Sequence, residues 1–352
     1  MTNKVLITTS TGLVAEAQTP VIVSASRSTD IPAFYAEWLI NRLKAGYALW
    51  YNPFNQQPIY VSFKNTKVIV FWSKNPRPLI PFLKELNDKC IHYYFQFTLN
   101  DYEPEGFEPN VPPLAERIET FKALSKQIGK EKVIWRFDPL LISPTLSPRD
   151  LLIRIWKIGN KLKGYTDKLV FSFVDVKAYR KVQSNLKSFF SKKNVEHLEF
   201  NHQQTMAIIE GLVKMRERWK SENWDVALAT CAEQIDFEQD GIEHNRCIDG
   251  DLMKQIFCND TDLMYYLSYG KLPDQHPLFI NEYPRKIVNL KDKGQRKACG
   301  CMISKDIGMY NTCPHHCIYC YANTSKEVVK KNWSLYNAEN ESIINKNTVQ
   351  VK

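Results

Sequence analysis

Six short runs of β-branched and aromatic residues constrain this chain more than any other feature. They are Pro20–Ser26 (PVIVSAS), Lys67–Ser73 (KVIVFWS), Ile91–Leu99 (IHYYFQFTL), Lys132–Asp138 (KVIWRFD), Lys168–Asp175 (KLVFSFVD) and Asp225–Cys231 (DVALATC). A strand that is apolar on both faces is covered on both faces, which is the condition of a parallel sheet. Amphipathic segments lie between the runs, among them Ile31–Lys44, Leu114–Gln127 and Gln203–Lys220. The clearest is SPRDLLIRIWKIGNKLKG: Ser147 caps it, Pro148 opens its first turn, Asp150 adds a first-turn acid and Gly164 stops it. Strands alternating with helices predict βα units around one parallel sheet, either a barrel or an open wound sheet. The stretch Tyr47–Phe63 reads as an inserted hairpin or lid, and no internal repeat is visible.

The 352 residues suit one large α/β domain or two ordinary ones, and 44% hydrophobic with 24% charged residues is a globular composition. No apolar run approaches the roughly 20 residues that span a bilayer. The N-terminus lacks the pattern of a signal peptide, so a cytoplasmic, reducing setting is expected. There, nine cysteines read as metal ligands or free thiols rather than disulfides. The balance of 47 basic against 38 acidic residues, +9, would suit a polyanionic partner, although the basic residues are spread out and form no stripe. After Asn323 the chain is polar and rich in Lys and Asn, which predicts a peripheral helix and a loose tail over 324–352.

Barrels and open parallel sheets both place chemistry where the strands end. Read there, the sequence offers Ser26–Arg27, Ser73–Lys74–Asn75, Gln96 and Thr98, Arg136 and Asp138, Asp175 and Lys177, and Thr230–Cys231. Each is also an ordinary loop start or helix cap. Together they describe a polar mouth.

The sharpest local signal is NTCPHHCIYCYAN, Asn311–Asn323, with Cys313, Cys317 and Cys320 in the order C-x3-C-x2-C and Tyr319 before the last. Three thiolates are one short of a closed structural zinc site; His315 or His316 could supply a fourth ligand but adjoin a cysteine that already binds. A [4Fe–4S] cube usually takes four cysteines, so three would leave one iron open to a substrate or cofactor.

This motif resembles the cluster motif of the radical S-adenosylmethionine superfamily, and TCPHHCIYCYA is most similar to the branch that includes spore photoproduct lyase. FWSKNP (Phe71–Pro76) and WRFDPL (Trp135–Leu140) resemble strand-end segments of that branch. SASRSTDIP, FWSKNP and CGCMISKDIGMYNTCPHHCIYCYA together resemble a bacterial family known as domain of unknown function 1848, over about Val21 to Asn323. The resemblance implies a partial or closed TIM-like (β/α) barrel of about six parallel strands in one domain, residues 1–323. It implies that Cys313, Cys317 and Cys320 ligate a [4Fe–4S] cluster whose open iron binds S-adenosylmethionine. Reductive cleavage, with an electron from a donor such as flavodoxin or ferredoxin, would release a 5′-deoxyadenosyl radical that abstracts hydrogen from a substrate. Ser73, Lys74 and Asn75 fall where the superfamily grips the methionine end, Tyr319 is grouped with them, and Arg136 and Asp138 would contact the adenosyl group or the substrate. The superfamily carries its cluster loop after the first barrel strand, whereas here it follows all six runs. Circular permutation accounts for that order, with Gly300–Tyr310 supplying the preceding strand beside PVIVSAS.

Cys299 and Cys301 form a C-x-C pair upstream of the loop, Cys231 ends the last run, and Cys247 lies in EHNRCIDGD. These four would suit an auxiliary iron–sulfur cluster or a zinc ion, or else be buried free thiols. Cys90 and Cys258 read as incidental, and His202 and His244 as hydrogen-bonded rather than ligating. The competing function is a zinc-stapled, non-catalytic scaffold that binds nucleic acid. For the enzyme, a nucleic-acid lesion, a modified base, a peptide and a small metabolite are all open as substrates.

Overall fold

The computed structural model describes residues 4–273 and 288–345. The chain begins with a hairpin, β1 (Lys4–Thr8) and β2 (Val14–Gln18), and then lays down β3 (Ile22–Ala25). A second hairpin, β4 (Tyr47–Tyr51) and β5 (Pro58–Ser62), occupies the stretch read as an insertion. There follow β6 (Val68–Ser73), β7 (His92–Thr98), β8 (Val133–Leu140), β9 (Lys168–Phe173), β10 (Ala227–Thr230), β11 (Ile242–His244) and β12 (Lys305–Asp306). The two hairpins join into a four-stranded sheet in the order β1-β2-β5-β4. The first hairpin went unread in the sequence, although KVLIT and VAEAQ flank a turn that needs Gly12 at φ +81°.

The main sheet has eight strands in the order β11-β10-β9-β8-β7-β6-β3-β12, and every pairing is parallel. All six predicted runs are in it. The fold is therefore α/β with one large parallel sheet, but the expected strand count and closure need correction. β11 is an added edge strand, and β12, from the end of the chain, pairs with β3 through Lys305↔Val23 and Asp306↔Ser24. Among the described residues β11 and β12 do not pair, so the sheet stays open.

Packing gives the physical reason. Alternate strand residues (Val23, Ile69, Phe71, Phe95, Trp135, Phe171) face the long helices Leu114–Ile128, Pro148–Leu162 and His202–Ser221. Their neighbours (Ile22, Val68, Val70, Tyr94, Ile134, Val170, Ala229) face the other way, where a closed barrel would fill its own centre. Here Ile248, Met253, Phe257, Leu263, Leu267 and Met302 cover that face. Each fully buried side chain of this kind contributes roughly 1.5–3 kcal/mol, so the covering segment stabilises the open sheet.

The helix Pro148–Leu162 starts as its sequence predicts, with Ser147 and Asp150 exchanging the two hydrogen bonds of a capping box. A helix, Lys326–Trp333, follows the cysteine loop. The chain beyond it is not loose up to residue 345: Ile343 and Ile344 are buried, and the Trp38 indole N–H donates to the Asn340 carbonyl at 2.9 Å. The last part of the expected tail, 346–352, lies outside the described residues. Among the described residues no helix is long and apolar enough to cross a membrane.

Candidate metal centre at the strand ends

The cysteine loop is delivered to the rim by β12. After it the Ile307 N–H donates to the Ser24 carbonyl at 3.2 Å, and the Trp50 indole donates to the Gly308 carbonyl at 2.9 Å. Gly308 is required by space: a Cβ there would stand 1.9 Å from Ser26 Oγ. The loop closes on itself where the Asn311 N–H meets the Ala322 carbonyl at 3.1 Å. It is tied to its surroundings by Asn323 Nδ2 on the Cys313 carbonyl (2.8 Å), Asn110 Nδ2 on the Pro314 carbonyl (2.7 Å) and Ile318 N on the Phe107 carbonyl (3.0 Å). Cys317 is buried, and Cys313 and Cys320 are half-buried. Burial pushes all three thiols up, and at Cys317 it prevails over the opposing pull of Lys74.

Beneath the loop two carboxylates organise the strand ends. Asp30 accepts from Ser73 Oγ (2.7 Å), from the Lys74 backbone N–H (2.7 Å) and from the Ala33 N–H (3.0 Å), and its second oxygen lies 2.8 Å from His315 Nε2. It thus joins β6 to the cysteine loop. Asn75 adds its backbone N–H to Ser73 Oγ at 3.0 Å. Glu108, from the loop after β7, accepts from Lys74 Nζ (2.8 Å), Asn100 Nδ2 (3.0 Å) and the Tyr319 hydroxyl, with Arg117 Nη1 at 3.9 Å. Burial alone would raise the Glu108 carboxyl; Lys74 and Arg117 outweigh it and hold the pKa at about 2. Burial likewise opposes the Lys74 charge, but Glu108 and the nearby Cys317 raise its pKa.

Asn100 carries the network across to β8. Its Nδ2 also reaches the Tyr319 hydroxyl (3.2 Å), and its Oδ1 accepts from the Asp138 N–H (2.9 Å). Asp138 pairs with Arg136 (Nε to Oδ2, 3.1 Å) and accepts from the Ser172 hydroxyl. Burial would raise the Asp138 carboxyl, and Arg136 draws it below its usual range. Arg136 also reaches Gln96 Oε1 and Cys247 Sγ, both at 3.1 Å.

Thus Ser73, Lys74, Tyr319, Arg136 and Asp138 join one network that also contains Cys247. A family model described as domain of unknown function (DUF1848) matches residues 22–322. The chain belongs to that family. The DUF1848 span begins at the first residue of β3 and ends two residues after Cys320, so it encloses the main sheet and the cysteine loop and omits the first hairpin. No curated protein matches the chain, and no solved structure does.

The other cysteines of this DUF1848 chain divide. Cys231, Cys247, Cys299 and Cys301 come together as free thiols, with Cys231 Sγ 3.5 Å from Cys247 Sγ and hydrogen-bond contacts from Cys247 to Cys301 and from Cys301 to Cys299. Cys90 and Cys258 are exposed. His244 Nε2 meets the Ala298 carbonyl, and His202 begins a helix. Among the described residues no three His, Cys, Asp or Glu side chains converge on the position of a single ion. A cleft of about 510 Å³ lined by Ile7, Tyr47, Phe63 and Lys89 shares no residue with the cysteine rim and carries no thiol or carboxylate. Asp30, Asn100, Glu108 and Arg117 were missed in the sequence. Asp30 and Asn100 sit just past apolar runs, the signal that had flagged Ser73 and Asp138; Glu108 lies inside a loop with no pattern to mark it.

Proposed function

We propose that the loop of Cys313, Cys317 and Cys320 holds a [4Fe–4S] cluster and that this DUF1848 protein is a radical S-adenosylmethionine enzyme. The observation that carries the reading is the pairing of β12 with β3, which puts the loop at the strand-end rim. In the superfamily that the motif resembles, the cluster loop follows the first barrel strand. β12 and its loop correspond to that unit moved to the end of the chain, which is circular permutation.

The residues fit the group. A cube takes one thiolate per iron, so three cysteines satisfy three irons and leave the fourth open. A single zinc closed by protein ligands takes four donors, one more than the three cysteines of the loop. When bound, the cluster and S-adenosylmethionine supply one-electron reductive cleavage of the sulfonium, with a donor such as flavodoxin or ferredoxin.

The chain's own side chains do the positioning. The Lys74 ammonium beside Cys317 favours the thiolate that a cluster requires. Two of its three N–H donors meet Glu108 and Tyr319, and the third can take the carboxylate of a ligand. Asp30 locks the Lys74 backbone to His315, so the cation and the loop keep one register. Of the Arg136–Asp138 pair, Asp138 is the member with a quarter of its side chain accessible and is the one able to touch a ligand. Arg136, 3% accessible, positions it. Within this reading the +9 net charge favours a polyanionic substrate such as nucleic acid, which steep salt dependence of binding would support.

The test is anaerobic reconstitution with iron and sulfide. Wild type should gain a broad charge-transfer absorption near the visible and cleave S-adenosylmethionine on reduction. Cys317→Ala should lose the cleavage and about four irons per chain. Unchanged iron and cleavage in that variant, or stoichiometric zinc on the three cysteines of anaerobically purified protein, refutes the proposal and leaves the zinc-stapled scaffold.

A further inference from the structure

We propose that Cys231, Cys247, Cys299 and Cys301 form a second, tetrathiolate metal centre, separate from the cysteine loop. The four sulfurs come from three parts of the chain. Cys231 leaves β10, Cys247 follows β11, and Cys299 and Cys301 lie on the arm that returns towards β12. They meet in a row, Cys231 to Cys247 to Cys301 to Cys299, each thiol in contact with the next.

The surroundings of the row aim hydrogen-bond donors at the sulfurs. Arg136 Nη1 stands 3.1 Å from Cys247 Sγ, Asn245 Nδ2 stands 3.5 Å from the same sulfur, and the Ile248 N–H stands 3.5 Å from Cys301 Sγ. The Cys301 backbone N–H donates to Cys299. A neutral thiol is a poor acceptor, so aiming a guanidinium, an amide and two backbone N–H groups at it gains little; at a metal-bound thiolate the same donors stabilise charge. Arg27 supplies the second observation. Its guanidinium feels Cys301, Cys247 and Cys299, and its buried Nη2 has no hydrogen-bond partner. Asp306 shares this cation, but a buried N–H left without an acceptor is costly, and anionic sulfurs would offset that cost.

Four thiolates around a divalent ion carry a net charge of about −2, and a cube with four thiolates is also anionic, so either occupant complements Arg27 and Arg136. The shared chemistry is thiophilic four-sulfur coordination. The sulfurs stand in a row and do not yet converge on one point, so binding draws the arm bearing Cys299 and Cys301 into place. Cys299, half-exposed on the outer side of the row, is the ligand through which a metal would enter.

The test does not depend on the cluster proposed for the loop. Protein carrying Cys313→Ala, Cys317→Ala and Cys320→Ala, purified without oxygen and checked for fold by circular dichroism, is assayed for metal and acid-labile sulfide. The expected result is one retained centre per chain. About one zinc without sulfide identifies a single ion, and iron matched by sulfide identifies a cluster. Adding Cys247→Ser and Cys301→Ser should remove it, and Cys299→Ser should speed its loss to a chelator several-fold. If the triple variant does not fold, the same serine changes in the full chain should lower its metal content by one centre. No metal in the folded triple variant, metal content indifferent to the serine changes, or a Cys231–Cys247 disulfide in unreduced protein overturns the proposal.

Discussion

Glu108→Gln isolates the charge at the centre of the rim. The change keeps the shape of the side chain but removes the carboxylate that faces Lys74 and Arg117 at 2.8 and 3.9 Å. Arg117 is buried and Lys74 half-buried, with side-chain exposure of 1% and 15%. Breaking a buried pair by deleting one partner costs roughly 3–5 kcal/mol, because the remaining charge is left without compensation. Unfolding entropy of about 2.1 cal/mol/K per residue gives about 0.74 kcal/mol/K for a chain of 352 residues. The melting temperature should therefore fall by roughly 4–7 °C. Lys74→Met in the Glu108→Gln background should restore part of that loss, and the double-mutant cycle reads the coupling directly. The same pair fixes an acid limb. Glu108 titrates at about 2 when folded against an ordinary 4.5, so its contribution is complete above pH 4.5 and disappears as the pH falls towards 2. In Glu108→Gln that limb should flatten. A drop below about 1 °C, or a cycle without coupling, would refute the argument that this carboxylate holds the two cations.

Gly308→Ala should destabilise the protein and impair iron uptake by the loop, because the new Cβ meets Ser26 Oγ and Ser28 Oγ; Ser26→Gly with Ser28→Gly in the same chain should restore iron uptake, and failure to do so would show that space is not the cause. Lys305 lies 3.5 Å over the Trp50 ring, and burial lowers its pKa to about 8. It is therefore charged below pH 8 and neutral above. The Trp50 contribution to fluorescence, taken as the difference from Trp50→Phe, should change with a midpoint near pH 8, and Lys305→Met should abolish the step.

Much of the fold could be read because the six apolar runs leave no choice of face: a run such as VIVFWS must be covered twice. Closure was harder to read. Whether a parallel sheet becomes a barrel depends on what competes for its second face, and Ile248, Met253 and Leu263 carry no periodic signature of that task. The adjacency of the cysteine loop to β3 was legible from motif order, whereas the Glu108 ion-pair network was not. Its members come from the end of β6, the loop 99–113, the helix Leu114–Ile128 and the cysteine loop, and a carboxylate in a loop looks the same in sequence whether it faces solvent or a half-buried lysine. The four cysteines at 231, 247, 299 and 301 could be grouped by chemistry, but only the path of the arm before β12 brings their sulfurs into contact.

The pairing of β12 with β3 also sets an order of events. Val23 leaves the ribosome well before Lys305, so this strand pair has one of the longest sequence separations in the fold. Contacts of that kind form late, because the entropy of closing the whole intervening chain opposes them. The rest of the sheet can assemble while β3 still shows an open edge, and the cysteines reach the rim only after β12 has been made. A chain broken before residue 305 should keep most of its secondary structure while exposing a sticky, unpaired strand.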